Sequence, residues 1–367
     1  MTDQIGIIGA GAWGTTLALM LADAERPVTL WGHTAEANGR MAQERVNSRY
    51  LPGRPFPPNV RIATEDTYLA EPYRLFVLAV PSAHVRATLR SLGPVLFADA
   101  DLLSVVKGIE ADTSLRMTEV VEQELSGRGI AVLSGPNLAR EIADGKPAGS
   151  VVASRDAALA TEIAAALTSS RFRVYTNPDV VGVELAGALK NVVAVAAGMV
   201  DGLGFGDSAK AGLLTRGLAE VTRLGVAAGA HPMTFAGLAG VGDLVATCMS
   251  PLSRNRRAGE LLASGRPWHD VAHELNGVAE GVDTVRGALR MAERLGVEMP
   301  IAEQVEAVVF GGRSPMDGVQ ELMSREPKDE LETLAPGAAA AGADAASRAG
   351  VATAESRRYT RLQSGGA

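Results

Sequence analysis

A glycine-rich motif placed between a strand and a helix constrains the fold of this chain more than any other feature. Residues Gly9–Gly14 read G-x-G-x-x-G and directly follow the apolar run Ile5–Ile8. The stretch from Gly14 to about Ala24 has the composition of a helix. In this setting the glycines permit a tight turn and a close approach of the backbone to a pyrophosphate, while the helix N-terminus offers free N–H donors. An ordinary glycine-rich turn is the alternative, but the strand–helix context favours a dinucleotide-binding cradle.

Short apolar runs alternate with helical stretches through the first half of the chain. The runs predicted as strands are Ile5–Ile8, Val28–Trp31, Leu75–Val80, Leu102–Val106, Ile130–Leu133, Ser150–Ala153 and Arg173–Tyr175. Helix-like stretches such as Ser82–Leu92 and Thr113–Leu125 lie between them. This alternation predicts a doubly wound α/β sheet, and continuously apolar runs are typical of strands that are covered on both faces.

The pattern changes after Val180, where Ala- and Leu-rich helical stretches replace the strands. The clearest helices are Val180–Met199, Ala209–Ala228 and Ser253–Ser264. Just before them, Asn177-Pro178 favours a turn. We therefore predict a Rossmann-type dinucleotide-binding domain at residues 1–178, an all-α substrate and catalytic domain at 179–333, and a flexible Ala/Gly-rich tail at 334–367.

Composition excludes several other classes of protein. The 367 residues include 35 Lys plus Arg and 42 Asp plus Glu, a formal charge of −7, which gives no broad basic footprint for nucleic acid or an anionic membrane. Cys248 is the only cysteine, so neither an intramolecular disulfide nor a cysteine zinc cluster is expected. No signal peptide and no apolar run of about 20 residues is apparent. We expect a cytoplasmic protein without a metal and without stable membrane insertion.

The end of the second predicted strand bears on the choice of cofactor. NAD-specific sites usually place Asp or Glu there to bind the ribose hydroxyls. This chain has Trp31-Gly32-His33-Thr34 instead, with no carboxylate to repel a 2′-phosphate. His33 is therefore a candidate to stack on adenine or approach that phosphate, although Thr34 also fits a plain helix N-cap. The sequence favours NADP, with NAD as the alternative.

Two polar residues in apolar or glycine-rich surroundings are candidates for proton transfer. Lys190 lies in a helix among Ala186, Gly187, Val193 and Ala194. A lysine desolvated there can exchange a proton near neutral pH, unless its ammonium escapes to water. Asp243 ends a glycine-rich loop. It either caps the helix that follows or forms a buried pair with Lys190.

Three further segments offer groups that could bind an anion. Lys107 follows the strand Leu102–Val106, at the edge of the sheet where ligands bind in this fold, although an exposed lysine is equally compatible with the sequence. Ser134–Asn137 follows the next strand and offers backbone donors and an amide, or else a plain turn. Ser253–Arg257 begins a helix with hydroxyl, guanidinium and amide groups, a good cradle for a phosphate or a solvated basic helix start.

With these residues assembled, the sequence resembles the bacterial NAD(P)-dependent glycerol-3-phosphate dehydrogenases from about Ile5 to Lys328. The segment around Lys190, Gly187–Gly198, is its most specific match. The others are Gly9–Thr15, Leu30–His33, Tyr50–Gly53, Val106–Glu110, Leu133–Pro136, Gly240–Leu244, Ser253–Asn255 and Val278–Gly281.

The resemblance implies a role for each matching residue. Lys190 would exchange the proton of the substrate C2 oxygen, and Asp243 would orient or tune it. The residues that would hold the substrate are Lys107, Gly135, Asn137, Lys190, Asp243, Ser253, Arg254 and Asn255. Those that would contact the dinucleotide are Gly9, Gly11, Ala12, Trp13, Gly14, His33, Tyr50, Lys107, Ala139, Arg254, Val278 and Glu280. Asn137 departs from the family, which often has Ser or Thr there.

The predicted function is reversible hydride transfer between NAD(P)H and dihydroxyacetone phosphate, giving sn-glycerol 3-phosphate for phospholipid synthesis. The predicted partner is thus a small phosphorylated three-carbon substrate, and a homodimer is left open. Two alternatives compete with this prediction. One is a β-hydroxyacid or sugar-acid dehydrogenase, which needs a carboxylate subsite; the other is a nucleotide-sensing protein that has kept the fold without catalysis.

Overall fold

The glycine motif belongs to a sheet of eight strands. The computed structural model describes residues 3–275, 279–327 and 329–330. The strands are β1 Ile5–Ile8, β2 Val28–Trp31, β3 Val60–Ala63, β4 Leu75–Leu78, β5 Asp101–Ser104, β6 Ile130–Ser134, β7 Ala148–Ser154 and β8 Phe172–Asn177. Their order is β3-β2-β1-β4-β5-β6-β7-β8. Strands β1–β6 are parallel, whereas β7 is antiparallel to β6 and parallel to β8.

Helices cover the sheet and form the second half of the described chain. They are α1 Ala12–Asp23, α2 Ala35–Glu44, α3 Val85–Leu92, α4 Met117–Glu124, α5 Ala139–Ala143, α6 Ala157–Leu167, α7 Val180–Gly202, α8 Gly206–Ala227, α9 Asp243–Met249, α10 Arg254–Ala263, α11 Trp268–Glu274, α12 Glu280–Leu295, α13 Pro300–Gly311 and α14 Pro315–Ser324. The predicted fold class, a Rossmann-type doubly wound sheet followed by an all-helical part, is confirmed.

The topology brings several predicted site residues to one edge of the sheet. Because β1–β6 are parallel, the segments that follow them, including Gly9, His33 and Lys107, lie at the same edge. The strand order reverses between β1 and β4, which is where ligands bind in doubly wound sheets. The antiparallel β7 begins at this edge too: a Cβ added to Gly135, after β6, would lie 3.0 Å from the Ser150 Cα.

Most strands lie where the apolar runs predict them. Strands β1 and β2 begin and end at the predicted residues, and the other five predicted strands differ from the observed ones by one or two residues at their ends. The prediction omitted β3, because Arg61 interrupts its short apolar run. In the structure Val60 and Ile62 are buried, while the Arg61 guanidinium leaves the core and binds the Glu71 carboxylate. An alternating strand of four residues is too short to be recognised from its period.

Helix α7 is the central element of the helical part. The Asp179 carboxylate caps its N-terminus by accepting the Gly182 N–H at 2.8 Å, which explains why the helix starts after the Asn177–Asp179 turn. Glycines let α10 approach α7 closely. A Cβ on Gly198 would lie 1.8 Å from the Arg256 carbonyl oxygen.

By length and composition alone, α7 could cross a membrane, unlike the expectation from the sequence. However, 94% of its most apolar window is buried inside the protein, as in the core helix of a globular fold. Among the described residues no strand follows Asn177, and α7 begins at Val180. The division at residues 178 and 179 stays a prediction, and the tail at 334–367 lies outside the described residues.

Candidate active site

The glycine motif forms a tight turn that packs against the loop after β4. Gly9 has φ +122°, and a Cβ there would lie 2.5 Å from the Ala79 carbonyl oxygen; on Gly14 it would lie 1.9 Å from the Gly9 carbonyl oxygen. Gly11 caps α1 without a side-chain hydrogen bond, so the first N–H groups of the helix, from Ala12 on, remain available. A Cβ on Gly11 would meet no atom within 4 Å, which shows that the motif borders open space.

Two side chains, Trp13 within the motif and Asn47 beside it, complete the cradle. The Trp13 Nε1–H is buried and has no partner among the described residues. Asn47 is buried, and its Nδ2 donates to the Ala10 carbonyl oxygen and to Thr15 Oγ1, both at 2.8 Å. The cradle therefore combines fixed backbone, open space and free donors, which fits the pyrophosphate of a dinucleotide.

The turn after β2 presents His33 to solvent. Asn38 braces this turn: it accepts the Gly32 N–H at 3.0 Å and donates to the Gly32 carbonyl oxygen at 2.8 Å. Thr34 caps α2 by accepting the Ala37 N–H, which confirms its role as N-cap. His33 is exposed beside this cap.

Two other residues predicted to contact the cofactor flank the cradle. Tyr50 is half-buried, and its N–H donates to Asn47 Oδ1 at 3.3 Å. Ala139 begins α5, and its carbonyl oxygen accepts the Thr16 hydroxyl of α1 at 3.1 Å. Both therefore adjoin the glycine motif or the helix that follows it.

The centre of the site is a lysine–aspartate triad, which comprises Lys190, Asp243 and Lys107. The Lys190 Nζ lies 2.8 Å from Asp243 Oδ1, and the Lys107 Nζ lies 2.6 Å from Asp243 Oδ2. One buried carboxylate thus bridges two ammonium groups. With both lysines protonated the triad carries a net positive charge, which favours binding of an anion or an alkoxide.

Helices α7 and α9 hold the triad in place. Lys190 is only 7% exposed, so its ammonium does not escape to water. Asp243 is paired with Lys190 and does not cap α9, since Gly242 occupies that position. One turn further on, Thr247 Oγ1 accepts from the Lys190 Nζ at 2.5 Å. This leaves the third N–H of Lys190 without a partner among the described residues.

Burial has the largest effect on the pKa values of two groups at the site, Lys107 and Glu280. It lowers the pKa of the Lys107 ammonium to about 8, although the Asp243 carboxylate acts in the opposite direction. Burial also raises the pKa of the Glu280 carboxyl, against the attraction of Arg254, Lys190 and Lys107. Glu280 therefore lies within electrostatic reach of both triad lysines and of Arg254.

The loop after β6 contacts the triad through its backbone. The Gly135 carbonyl oxygen accepts from the Lys107 Nζ at 2.8 Å and from the Asn137 N–H at 2.7 Å. Pro136 lies against the turn that precedes α9, since a Cβ on Gly242 would be 3.9 Å from Pro136 Cδ. The segment predicted to bind substrate thus lies between Lys107 and the helix of Asp243.

Ser253 caps the start of α10, and the side-chain amide of Asn255 binds other parts of the protein. Ser253 Oγ accepts the Arg256 N–H at 3.2 Å, and Arg254 is exposed. Asn255 is buried: its Nδ2 donates to Asn191 Oδ1 at 2.9 Å, and its Oδ1 accepts the Gly281 N–H at 3.0 Å. Asn255 therefore joins three helices at the site, and its contact with substrate stays a prediction.

Cys248 is fully buried, and burial raises the pKa of its thiol to about 12. Cys248 therefore packs as a small apolar side chain. Within the described ranges, no three His, Cys, Asp or Glu side chains are grouped so that they could hold a metal ion.

Two family descriptions together match nearly all of the described chain. The family descriptions of the NAD-dependent glycerol-3-phosphate dehydrogenase N-terminus and C-terminus match residues 4–160 and 179–320. The chain belongs to the NAD-dependent glycerol-3-phosphate dehydrogenase family.

Relatives within the family are similar over almost their whole length. The glycerol-3-phosphate dehydrogenase [NAD(P)+] of Streptomyces coelicolor is 48% identical over 329 residues, 89% of this chain and 98% of the relative. That of Frankia casuarinae is 50% identical with the same coverage. The crystal structure of glycerol-3-phosphate dehydrogenase from Coxiella burnetii has a TM-score of 0.85 at 37% identity and covers 88% of this chain and 99% of that one.

In this dehydrogenase fold the predicted site residues form two groups. Lys107, Gly135, Lys190 and Asp243 are joined by direct hydrogen bonds. Gly9–Gly14 forms the separate cradle at the same edge of the sheet. Val278 lies outside the described residues.

Three side chains that are not among the predicted site residues support the site. Thr247 binds Lys190, Asn191 donates to the Lys107 carbonyl oxygen at 3.2 Å, and Asn47 holds the glycine motif. Thr247 could have been predicted from its spacing, because it lies four residues after Asp243 and therefore on the same face of the helix. Asn47 carries no such local signal.

Proposed function

We propose that this site interconverts dihydroxyacetone phosphate and sn-glycerol 3-phosphate, as an NAD(P)-dependent dehydrogenase of its family. The observation that carries the proposal is the triad: a buried lysine with one free N–H, held by a carboxylate, beside a dinucleotide cradle. A carbonyl reductase needs a proton donor of this kind at the carbonyl oxygen.

The backbone of Gly11–Trp13 would hold the pyrophosphate at the N-terminus of α1, with Tyr50 and His33 toward the adenosine. When bound, NAD(P)H supplies the hydride that adds to the carbonyl carbon. The protein's own contribution is to position the substrate and to move a proton.

Lys190 donates the proton of its free N–H to the C2 oxygen during reduction and takes it back during oxidation. Asp243 and Thr247 accept the other two N–H groups of Lys190, so the remaining one has a fixed direction. The net positive charge of the triad stabilises the alkoxide that develops on this oxygen.

Lys107, Arg254 and the α10 N-terminus would bind the phosphate, with Ser253 and Asn255 shaping the cradle. Gly135 and Asn137 would contact the glycerol hydroxyls. A fixed phosphate positions the carbonyl carbon for reaction, so remote binding contributes to the rate.

A single assay tests the proposal. Oxidation of NADPH is followed with dihydroxyacetone phosphate and, separately, with 2-keto carboxylates of similar size. We expect turnover with the phosphate ester and little with the carboxylates. Preference for a carboxylate would favour the β-hydroxyacid dehydrogenase alternative, and NADPH binding without turnover would favour the nucleotide sensor.

Replacement of Arg254 by Lys is expected to weaken phosphate binding, because a point charge replaces a planar fork with two donors. Loss of charge-assisted bonds predicts a cost of about 2–3 kcal/mol in substrate binding. The KM for dihydroxyacetone phosphate measures it. Unphosphorylated dihydroxyacetone is the control, for which the two proteins should differ little; an equal loss on both substrates would assign Arg254 to the cofactor or to structure.

The rate should also depend on the charge of Lys107. Since burial lowers its pKa to about 8, Lys107 is charged below that pH and loses its charge above it. The phosphate of the substrate, with a second pKa of about 6, stays dianionic throughout this range. We therefore expect kcat/KM for dihydroxyacetone phosphate to fall as the pH rises through about 8. A flat profile up to pH about 10 would contradict a role for this charge.

His33→Asp is expected to shift preference from NADPH toward NADH. A carboxylate at the end of β2 would bind the ribose hydroxyls and repel the 2′-phosphate. The measurement is kcat/KM for each cofactor at one ionic strength, since salt screens phosphate attraction. An unchanged ratio would show that His33 does not face the ribose.

The proposed role is the supply of sn-glycerol 3-phosphate for phospholipid synthesis in the cytoplasm. A homodimer is a further part of this proposal. Sedimentation equilibrium tests the latter proposal.

A further inference from the structure

Asn137 and Ser150 lie side by side at the substrate edge of the sheet. Ser150 is fully buried in β7, with its Oγ 2.8 Å from the Ser134 carbonyl oxygen and 3.2 Å from Asn137 Oδ1. Both neighbours are carbonyl oxygens, which only accept, whereas a serine hydroxyl has one proton. Ser150 can therefore satisfy only one of them. At the other end of the amide, Asn137 Nδ2 is buried without a partner in the described structure.

Rotation of the Asn137 amide by 180° resolves this conflict. In the rotated state Nδ2 donates to Ser150 Oγ, while the Ser150 hydroxyl donates to the Ser134 carbonyl oxygen. The unpaired atom is then Oδ1. A buried carbonyl oxygen without a partner is tolerated better than a buried N–H without one. The hydrogen bonds of Ser150 thus favour an amide whose oxygen faces away from β7.

Asn137 is connected to the triad through its backbone. The backbone N–H of Asn137 donates to the Gly135 carbonyl oxygen, which also accepts from the Lys107 Nζ. On the neighbouring side, Ser134 Oγ is buried without a partner among the described residues and faces α7: a Cβ on Gly187 would be 2.4 Å from it and 3.6 Å from Lys107 Cγ. Two buried polar atoms without a partner in the described structure, Ser134 Oγ and Asn137 Nδ2, therefore flank Gly135, which itself binds Lys107.

We propose that Ser150 is a positioning residue that directs the Asn137 carbonyl oxygen toward the substrate, where it selects a hydroxyl on the carbon beside the reacting carbonyl. The inference rests on the proposed function and adds the determinant of substrate choice. An acceptor oxygen binds an O–H group. A methyl group at the same place leaves that oxygen unpaired, and a carboxylate is repelled by it.

The test compares dihydroxyacetone phosphate with hydroxyacetone phosphate, which carries a methyl group in place of the hydroxymethyl group. The quantity is the ratio of the two kcat/KM values at saturating NADPH. We expect the wild type to prefer dihydroxyacetone phosphate by about 100-fold or more, since sites built to bind a hydroxyl reject analogues that lack it. In Ser150→Ala the amide is free to rotate, and the ratio should fall at least about tenfold.

Ser154→Ala is a matched control. Ser154 lies four residues further along the same strand, is also buried, and donates to the Ile130 carbonyl oxygen of β6 at 2.8 Å. Its removal deletes the same kind of bond without touching Asn137, so the substrate ratio should stay at the wild-type value. The KM for NADPH should be unchanged in both variants.

A second variant keeps the inference testable if Ser150→Ala does not fold. Asn137→Leu has nearly the same shape but no acceptor, and its ratio should fall as far as that of Ser150→Ala or further. A wild-type ratio in Ser150→Ala or in Asn137→Leu overturns the inference while leaving the dehydrogenase activity in place. A wild type that reduces neither phosphate ester overturns the proposed function itself.

Discussion

Replacement of Lys190 by alanine is expected to lower kcat by about 10²–10⁴-fold, the typical contribution of a positioned acid or base. Asp243 and Thr247 accept two of the three N–H groups of Lys190, which fixes the direction of the third. Alanine removes this positioned proton donor. The affinity for NADPH should be nearly unchanged, because the glycine motif and Trp13 lie at a separate cradle. Initial rates and fluorescence titration with NADPH measure the two halves of this prediction.

Lys210→Ala controls for the loss of a buried lysine. Lys210 is 6% exposed and pairs at 2.7 Å with the Asp201 carboxylate, which is not part of the triad. Both variants remove a buried ion-paired ammonium and should lower thermal stability, but only Lys190→Ala should show the large loss of kcat. Turnover near the wild-type level in Lys190→Ala would remove Lys190 from the mechanism, whereas equal losses in both variants would point to a general structural effect.

Features that depend on neighbours in the chain could be predicted from the sequence. The glycine motif, the strand before it and the cap at Ser253 are local, and the structure has all three. The pairing of Lys190 with Asp243 was one of two alternatives, since the two residues are 53 positions apart and an aspartate at a helix start is also a normal cap. Only the packing of α9 against α7 decides between them.

Other features depend on contacts that no local pattern records. An apolar run does not reveal its direction, so the antiparallel β7, which brings Ser150 beside Gly135, could not be foreseen. Asn255 was predicted from its place at a basic helix start, yet its amide binds Asn191 and Gly281. Such bonds arise between helices distant in the sequence, where propensity and spacing carry no information.

The second large effect is expected for Asp243→Asn, which keeps the shape of the side chain but removes its charge. Lys190 and Lys107 bind different oxygens of Asp243, and in asparagine one of these two atoms becomes an NH2 group that only donates, so one ammonium loses its acceptor. Breaking a buried ion pair in this way typically costs about 3–5 kcal/mol of stability. We also expect kcat to fall by about 10²-fold or more, because Lys190 loses one of the two acceptors that fix its direction.

The pH profile of this variant separates a role in the triad from a role in folding. The Asp243 charge raises the pKa of Lys107 against the effect of burial, so its removal lowers that pKa below about 8. Lys107 then loses its proton at a lower pH, and the alkaline decline of kcat/KM should move toward neutral pH. Asp201→Asn is the matched control, since Asp201 also accepts from two cations, Lys210 at 2.7 Å and Arg256 at 2.6 Å. It should lose stability while the decline stays near pH 8. The same decline in Asp243→Asn as in the wild type would show that Asp243 does not hold the charge of Lys107 in the working enzyme.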